Sequence, residues 1–219
     1  MVRKAVIFDF DGVLVDSERA HMWSILRAIE PEGWSADPEA MFQEFVGTSD
    51  RYCFGVLGER HGVSMTEELH ATLVARKLER FLDAVGDGRV TAQEGGFELL
   101  RSAAERVPVV VCTGSRRATV LPVLEKHGVL DALVGVVAAD DVGKTKPDPE
   151  AYRAACGVAG HDPSDCVAIE DTEHGIASGV GAGLRVIAVR HTYQDERLSG
   201  AHEVVDRIGE ITVEDLLGR

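Results

Sequence analysis

Six short apolar runs constrain the fold more than any other feature of the sequence: residues 5–8, 107–112, 134–138, 166–169, 186–189 and 204–205. They do not alternate with polar residues. A strand with one wet face alternates, whereas an unbroken apolar run needs cover on both faces. Segments of helical length lie between the runs. Asp148-Pro149 before Glu150, Ala151, Tyr152 and Arg153 sets a capping acid beside a proline at the first helical position. Strand and helix in alternation predict an α/β fold with a parallel sheet covered by helices on both sides.

Residues 17–85 interrupt that alternation. Met22, Ile25, Leu26 and Ile29 recur at helical spacing, and so do Val74, Leu78, Phe81, Leu82 and Val85. Turn clusters stand at Pro31-Glu32-Gly33 and Gly86-Asp87-Gly88. The stretch reads as a helical insertion, 17–85, into a core made of 1–16 and 86–219. A further helix is expected from Ser115 to Lys126, stopped by Gly128, with Pro122 kinking or splitting it.

The chain has 219 residues, 45% of them hydrophobic and 27% charged, which suits a globular fold and is too apolar for a disordered one. A chain of this size buries about 70% of its unfolded surface and needs no disulfide or metal to fold. Its net charge of −14 disfavours nucleic acid, since binding phosphate backbones requires a cationic surface. A small anionic substrate senses the local field instead and is not excluded. Cys53, Cys112, Cys156 and Cys166 are far apart along the chain and form no C-x-x-C pair, as expected of reduced thiols. Asp9 and Asp11 break the apolar run after Met1-Val2-Arg3-Lys4, so an export helix is not expected. No stretch reaches the ~18 apolar residues of a membrane span. A cytoplasmic protein is the expectation.

Four polar motifs follow predicted strands, at the edge where open α/β sheets bind ligands. In Phe8-Asp9-Phe10-Asp11-Gly12, a period of two would send both carboxylates to one side, where they repel unless a cation or shared proton intervenes. One could act as a nucleophile and the other as a general acid/base. Thr113-Gly114-Ser115 offers hydroxyls and amides suited to phosphoryl oxygens. In Lys144-Thr145-Lys146-Pro147-Asp148-Pro149, the proline-stiffened Lys146 is the better placed ammonium. Glu170-Asp171-Thr172 supplies hard oxygen donors of the kind Mg²⁺ takes. The Gly-rich 175–183 stretch falls inside a predicted helix, so it is no dinucleotide turn but allows close packing on the sheet.

In this order the motifs resemble those of the haloacid dehalogenase superfamily, in its β-phosphoglucomutase-like group, over nearly the whole chain. The resemblance implies a Rossmann-like parallel sheet core with an inserted α-helical cap. It implies that Asp9 is the nucleophile forming an aspartyl phosphate, and that Asp11 is the acid/base. Thr113 and the Gly114 amide would hold the phosphoryl group and Lys146 would stabilise its charge. Mg²⁺ would be bound by Asp9, the Asp11 carbonyl and Asp171, with Glu170 as a further ligand or one step behind. Dehalogenation is not implied, because it needs neither the metal nor the second acid.

In the cap, His21 and Lys77 fall where the sugar-phosphate mutases of the group carry functional residues. The arginine those mutases have after a small-residue turn is replaced here: Gly47-Thr48-Ser49 leads to Asp50, and Arg51 comes one place later. The expectation is a Mg²⁺-dependent phosphatase of a small phosphomonoester, such as a sugar phosphate, with a β-phosphoglucomutase-type mutase as the alternative. The expected partner is a small phosphorylated metabolite, with no nucleic acid and no membrane, and the expected assembly a monomer or weak homodimer.

Overall fold

The computed structural model describes residues 3–46, 48–194 and 196–218. Met1, Val2 and Gly47 of the segments discussed above lie outside the described residues. The chain divides into two compact units, Met1–Asp16 with Ala92–Arg219, and Ser17–Thr91.

The first unit is built on a six-stranded sheet in the order β5-β4-β1-β6-β7-β8. Its strands are β1 (Ala5–Phe8), β4 (Val109–Cys112), β5 (Gly135–Val137), β6 (Cys166–Glu170), β7 (Arg185–Val189) and β8 (Glu203–Val205). All pairings are parallel. Every run singled out in the sequence is a strand: β1 matches its run, β4 and β5 are shorter than theirs, and β6, β7 and β8 extend one residue beyond. Each of β1, β4 and β6 is buried along its whole length, as unbroken apolar runs require. Two-residue strands β2 (Val15–Asp16) and β3 (Thr91–Ala92) stand where the chain leaves and re-enters this unit.

Helices α5 (Gly96–Ala104), α6 (Arg117–Lys126), α7 (Glu150–Ala159), α8 (Glu173–Ala182) and α9 (Val213–Leu217) flank the sheet. One side of the core joins Ala5, Ile7, Val110, Cys112, Ala168 and Val186 of the strands to Tyr152, Ala155, Cys156 and Ile176 of α7 and α8. The intervening strand residues Val6, Phe8, Val111 and Ile169 face the opposite side and are also fully buried. Helix α8 comes close to the sheet because it carries glycine where a Cβ would meet a neighbour: one at Gly179 would lie 2.9 Å from Val186 Cγ2. Helix α6 runs through Pro122 as one element and is not split. Proline's missing donor deprives only the Ala118 carbonyl of an intrahelical partner, and Ala118 lies in the first turn.

The second unit holds α1 (Glu18–Ile29), α2 (Pro38–Phe45), α3 (Asp50–Arg60) and α4 (Glu67–Gly86). Its core comprises Met22, Ile25, Ile29, Trp34, Phe45, Phe54, Leu57 and Leu73. The buried stripe of α4 is His70, Leu73, Phe81, Ala84 and Val85. Leu82, expected in that stripe, is 39% exposed, since it is turned about 100° from Phe81. Helix α4 continues to Gly86 and the unit to Thr91, six residues past the return point read from the sequence.

All four cysteines are buried free thiols. Cys166 Sγ donates to the Asp162 carbonyl at 3.4 Å. No helix of the described residues is long and apolar enough to cross a membrane.

Candidate active site

Strand β1 lies between β4 and β6, with Phe8 level with both Val111 and Ile169. The residues just past these three strand ends therefore meet, at the point where successive connections leave in opposite directions. Asp9 follows β1 directly. Its amide donates to the Ile169 carbonyl at 3.0 Å, and the residue is buried. Gly12 then turns the chain with φ +77°, and a Cβ there would lie 1.9 Å from Asp171 Oδ2. Only glycine allows the turn to pass so near that carboxylate.

Lys146, in the loop between β5 and α7, reaches this strand edge. Its Nζ donates to Asp9 Oδ1 at 2.8 Å, to Glu170 Oε1 at 2.6 Å and to the Cys112 carbonyl at 3.0 Å. Glu170 Oε1 also accepts from the Tyr152 hydroxyl at 2.9 Å. Its Oε2 accepts from the Asp171 amide at 3.0 Å, the Thr172 amide at 3.3 Å and the Thr172 hydroxyl at 3.2 Å. Glu170 and Asp171 are fully buried. Gly175, in the first turn of α8, makes room for Glu170: a Cβ there would fall 1.8 Å from Oε1.

The loop is fastened to its helix. Glu150 accepts from the Gly143 amide at 2.7 Å and the Lys144 amide at 3.1 Å, and Asp148 Oδ1 accepts from the Glu150 amide at 3.0 Å. The Lys146-Pro147 peptide is cis.

Electrostatically the centre has one ammonium among several carboxylates. Burial, with Glu170 next to it, pushes the Asp9 carboxyl up to about 8 against the downward pull of Lys146. Burial alone would disfavour the charged lysine, but Asp9 and Glu170 outweigh it and hold the Lys146 pKa above its ordinary value.

Asp11 belongs to a second cluster. Its Oδ2 accepts from Ser115 Oγ at 2.7 Å and from Thr113 Oγ1 at 3.4 Å. Strand β1 ends at Phe8, so both acids lie past it, and the Asp11 charge adds to the upward push on the Asp9 carboxyl, the repulsion expected of the pair. Thr113 is 2% exposed, and its Oγ1 also accepts from the Ser115 amide at 2.9 Å. Gly114 lies exposed between them, with open space where a side chain would be.

Asp9, Glu170 and Asp171 each offer a carboxylate oxygen, all within 4.8 Å of one another. Buried hard oxygen donors in excess of nearby positive charge fit a divalent cation such as Mg²⁺.

A family model of haloacid dehalogenase-like hydrolases matches residues 6–189. The chain belongs to that family. It is 28% identical over 209 residues to the validoxylamine A 7'-phosphate phosphatase of Streptomyces hygroscopicus subsp. limoneus, covering 95% of each chain. Its fold is similar to that of CbbY from Rhodobacter sphaeroides, solved in complex with phosphate (TM-score 0.88, 24% identity, 99% of each chain). It is likewise similar to β-phosphoglucomutase from Clostridium difficile (TM-score 0.84, 22% identity, 98% of this chain and 95% of that one).

In this haloacid dehalogenase-like hydrolase the cap candidates have partners within their own unit. His21 is buried and stacks on Phe81 with ring centroids 4.3 Å apart. Lys77 pairs with Asp50, the residue at the position that the resemblance assigns to the mutase arginine. Arg51 grips Glu67 through two bonds, 2.9 and 2.8 Å long.

Two side chains of the core clusters make contacts that the sequence does not announce. Ser115, in the Thr113-Gly114-Ser115 turn, differs from an ordinary capping serine through its bond to Asp11, 104 residues away. Tyr152 has only the marks of a helix residue in the sequence. Its signal was one large hydroxylated ring on the buried face of an alanine-rich helix, six residues after Lys146.

Proposed function

We propose that this hydrolase is a Mg²⁺-dependent phosphatase that cleaves a small phosphomonoester through an aspartyl phosphate on Asp9. The observation that carries the reading is the Lys146 ammonium fixed on Asp9 Oδ1, beside the Glu170 and Asp171 carboxylates. Phosphoryl transfer depends on positioning and on neutralising equatorial charge, and this arrangement supplies both.

In this reading Asp9 Oδ attacks phosphorus as the bond to the leaving oxygen breaks, and Asp11 delivers a proton to that oxygen. Asp11 then takes a proton from water, whose oxygen attacks phosphorus, releasing orthophosphate and restoring Asp9. Ser115 and Thr113 hold Asp11, while Thr113 and the Gly114 amide border the phosphoryl oxygens. Asp9, Asp171 and the Asp11 carbonyl would hold Mg²⁺, which when bound supplies the positive charge that keeps Asp9 ionised and screens the phosphoryl oxygens. Glu170, whose oxygens already accept five hydrogen bonds, would support Lys146 and the Asp171 turn.

Hydrolysis is favoured over mutase chemistry by the cap. A mutase must accept a substrate bearing a second phosphate. Lys77 is neutralised by Asp50 and Arg51 by Glu67, so neither cation is available to that group without displacing an acid.

The wild type is expected to hydrolyse p-nitrophenyl phosphate with Mg²⁺ and to lose that activity in EDTA. Asp9→Asn should abolish turnover while leaving the far-ultraviolet circular dichroism unchanged. A folded Asp9→Asn protein with wild-type rate would overturn the assignment. Conversion of β-glucose 1-phosphate to the 6-phosphate, primed by the bisphosphate, would establish the mutase instead.

A further inference from the structure

We infer that Tyr152 is a positioning residue of this site, acting through Glu170 to keep the Lys146 ammonium on Asp9. The inference rests on the phosphatase reading above for its kinetic consequence, but not for its geometry.

Lys146 Nζ has three hydrogens and two carboxylates within reach, at 2.8 Å on Asp9 and 2.6 Å on Glu170. In a buried site the ammonium is drawn towards whichever carboxylate is less stabilised by other donors. Three of Glu170's other bonds end on Oε2, turned towards the Asp171–Thr172 backbone. On Oε1, the oxygen that faces Lys146, the Tyr152 hydroxyl is the one other donor among the described residues, at 2.9 Å. That bond offsets part of the Oε1 charge and fixes where the oxygen sits. It leaves more of the lysine's field for Asp9 and for whatever Asp9 holds.

The ring acts in the same direction. Lys146 Nζ lies 4.8 Å from the Tyr152 ring centroid, and 3.4 Å from its hydroxyl oxygen. A cation over an aromatic face is held without a competing negative charge. Tyr152 is itself fully buried in a core of alanines, cysteines and aliphatic chains. Packing there is satisfied by phenylalanine, and burying a hydroxyl costs free energy unless it is bonded. The hydroxyl is explained by Glu170 and Lys146.

The test compares wild type, Tyr152→Phe and Tyr152→Leu as full-length proteins. Tyr152→Phe keeps the ring and should lower kcat on p-nitrophenyl phosphate about ten-fold, with KM within about two-fold. Tyr152→Leu also removes the ring and should fall further. A role in packing alone would instead leave kcat of the phenylalanine variant at the wild-type value. The second readout does not depend on activity. In protein labelled with ¹⁵N at lysine Nζ, the Lys146 ammonium, assigned by its loss in Lys146→Met, should give a slowly exchanging signal. In Tyr152→Phe that signal should shift and broaden. An unmoved signal, or wild-type kcat in an active enzyme, overturns the inference. An inactive wild type overturns the phosphatase reading, and the ammonium signal then decides the role of Tyr152 by itself.

Discussion

Glu170 and Asp171 are adjacent buried carboxylates with opposite employment. Glu170 accepts five hydrogen bonds, two of them on the oxygen that faces Lys146. Asp171 faces the Gly12 turn, where a single added carbon would collide with it. The division predicts different behaviour on removing each charge. Asp171→Asn should raise the Mg²⁺ concentration for half-maximal activity by ten-fold or more, about the cost of losing a ligand. Glu170→Gln should change that concentration less, yet lower kcat by about 10², because Lys146 loses one of its two anionic anchors. Titration of activity with Mg²⁺ separates the cases, and equal shifts would make Glu170 a ligand like its neighbour. The acidic residues and Lys146 could be read from the sequence because charge beside an unbroken apolar run is costly without a partner. Tyr152 could not, since a buried tyrosine in a helix looks the same whether its hydroxyl meets solvent-bridging backbone or a catalytic-site carboxylate.

Helix α6 carries the Thr113-Gly114-Ser115 turn at its start and is tied down by the acids that follow β5. The Asp140 carboxylate accepts the Arg117 amide at 2.9 Å. Asp141 Oδ2 accepts from the Ala138 amide at 2.8 Å and from Arg117 Nη2 at 2.5 Å. The Ala138 amide first, then Arg117, hold the Asp141 carboxyl below its usual range although slight burial opposes them. A lowered folded-state value gives stability that is present above about pH 4 and lost as the pH falls through that lowered value. Asp141→Asn should therefore cost about 1 kcal/mol at pH 7, solvent screening included. The difference from wild type should shrink as the pH falls below about 4, and denaturant midpoints at pH 7 and pH 3 check this; a constant difference would contradict it. At this scale the sequence was informative wherever burial is two-sided, which is why the strands were found nearly to the residue. It misled on α4, where Leu82 matched the apolar spacing but Leu73 and Ala84 take the buried stripe. Helical spacing alone does not say which of two neighbouring faces a partner helix will cover.

At the scale of the molecule, the site concentrates negative charge in a chain already at −14. The metal-free protein is expected to register this through Asp9. Its folded pKa, raised to about 8 by burial and Glu170, means the folded state keeps a proton that the unfolded chain has already released. That contribution to stability is complete below about pH 4 and is lost as the pH rises through about 8. In EDTA the melting temperature should carry a downward component over that interval, and Mg²⁺ should flatten it while raising the whole curve. Parallel melting curves with and without Mg²⁺ would count against a cation at Asp9. The sheet order has another effect, on the chain's manufacture. Strand β1 is made first and ends in the middle, flanked by strands that begin at Val109 and Cys166. During synthesis its four apolar residues must wait for roughly a hundred residues of further chain before either flank exists, a long-range closure that slows folding. A ribosome stalled after β4 but before Cys166 would hold a sticky, half-walled sheet, so the newborn protein should depend on chaperones far more than its finished form does.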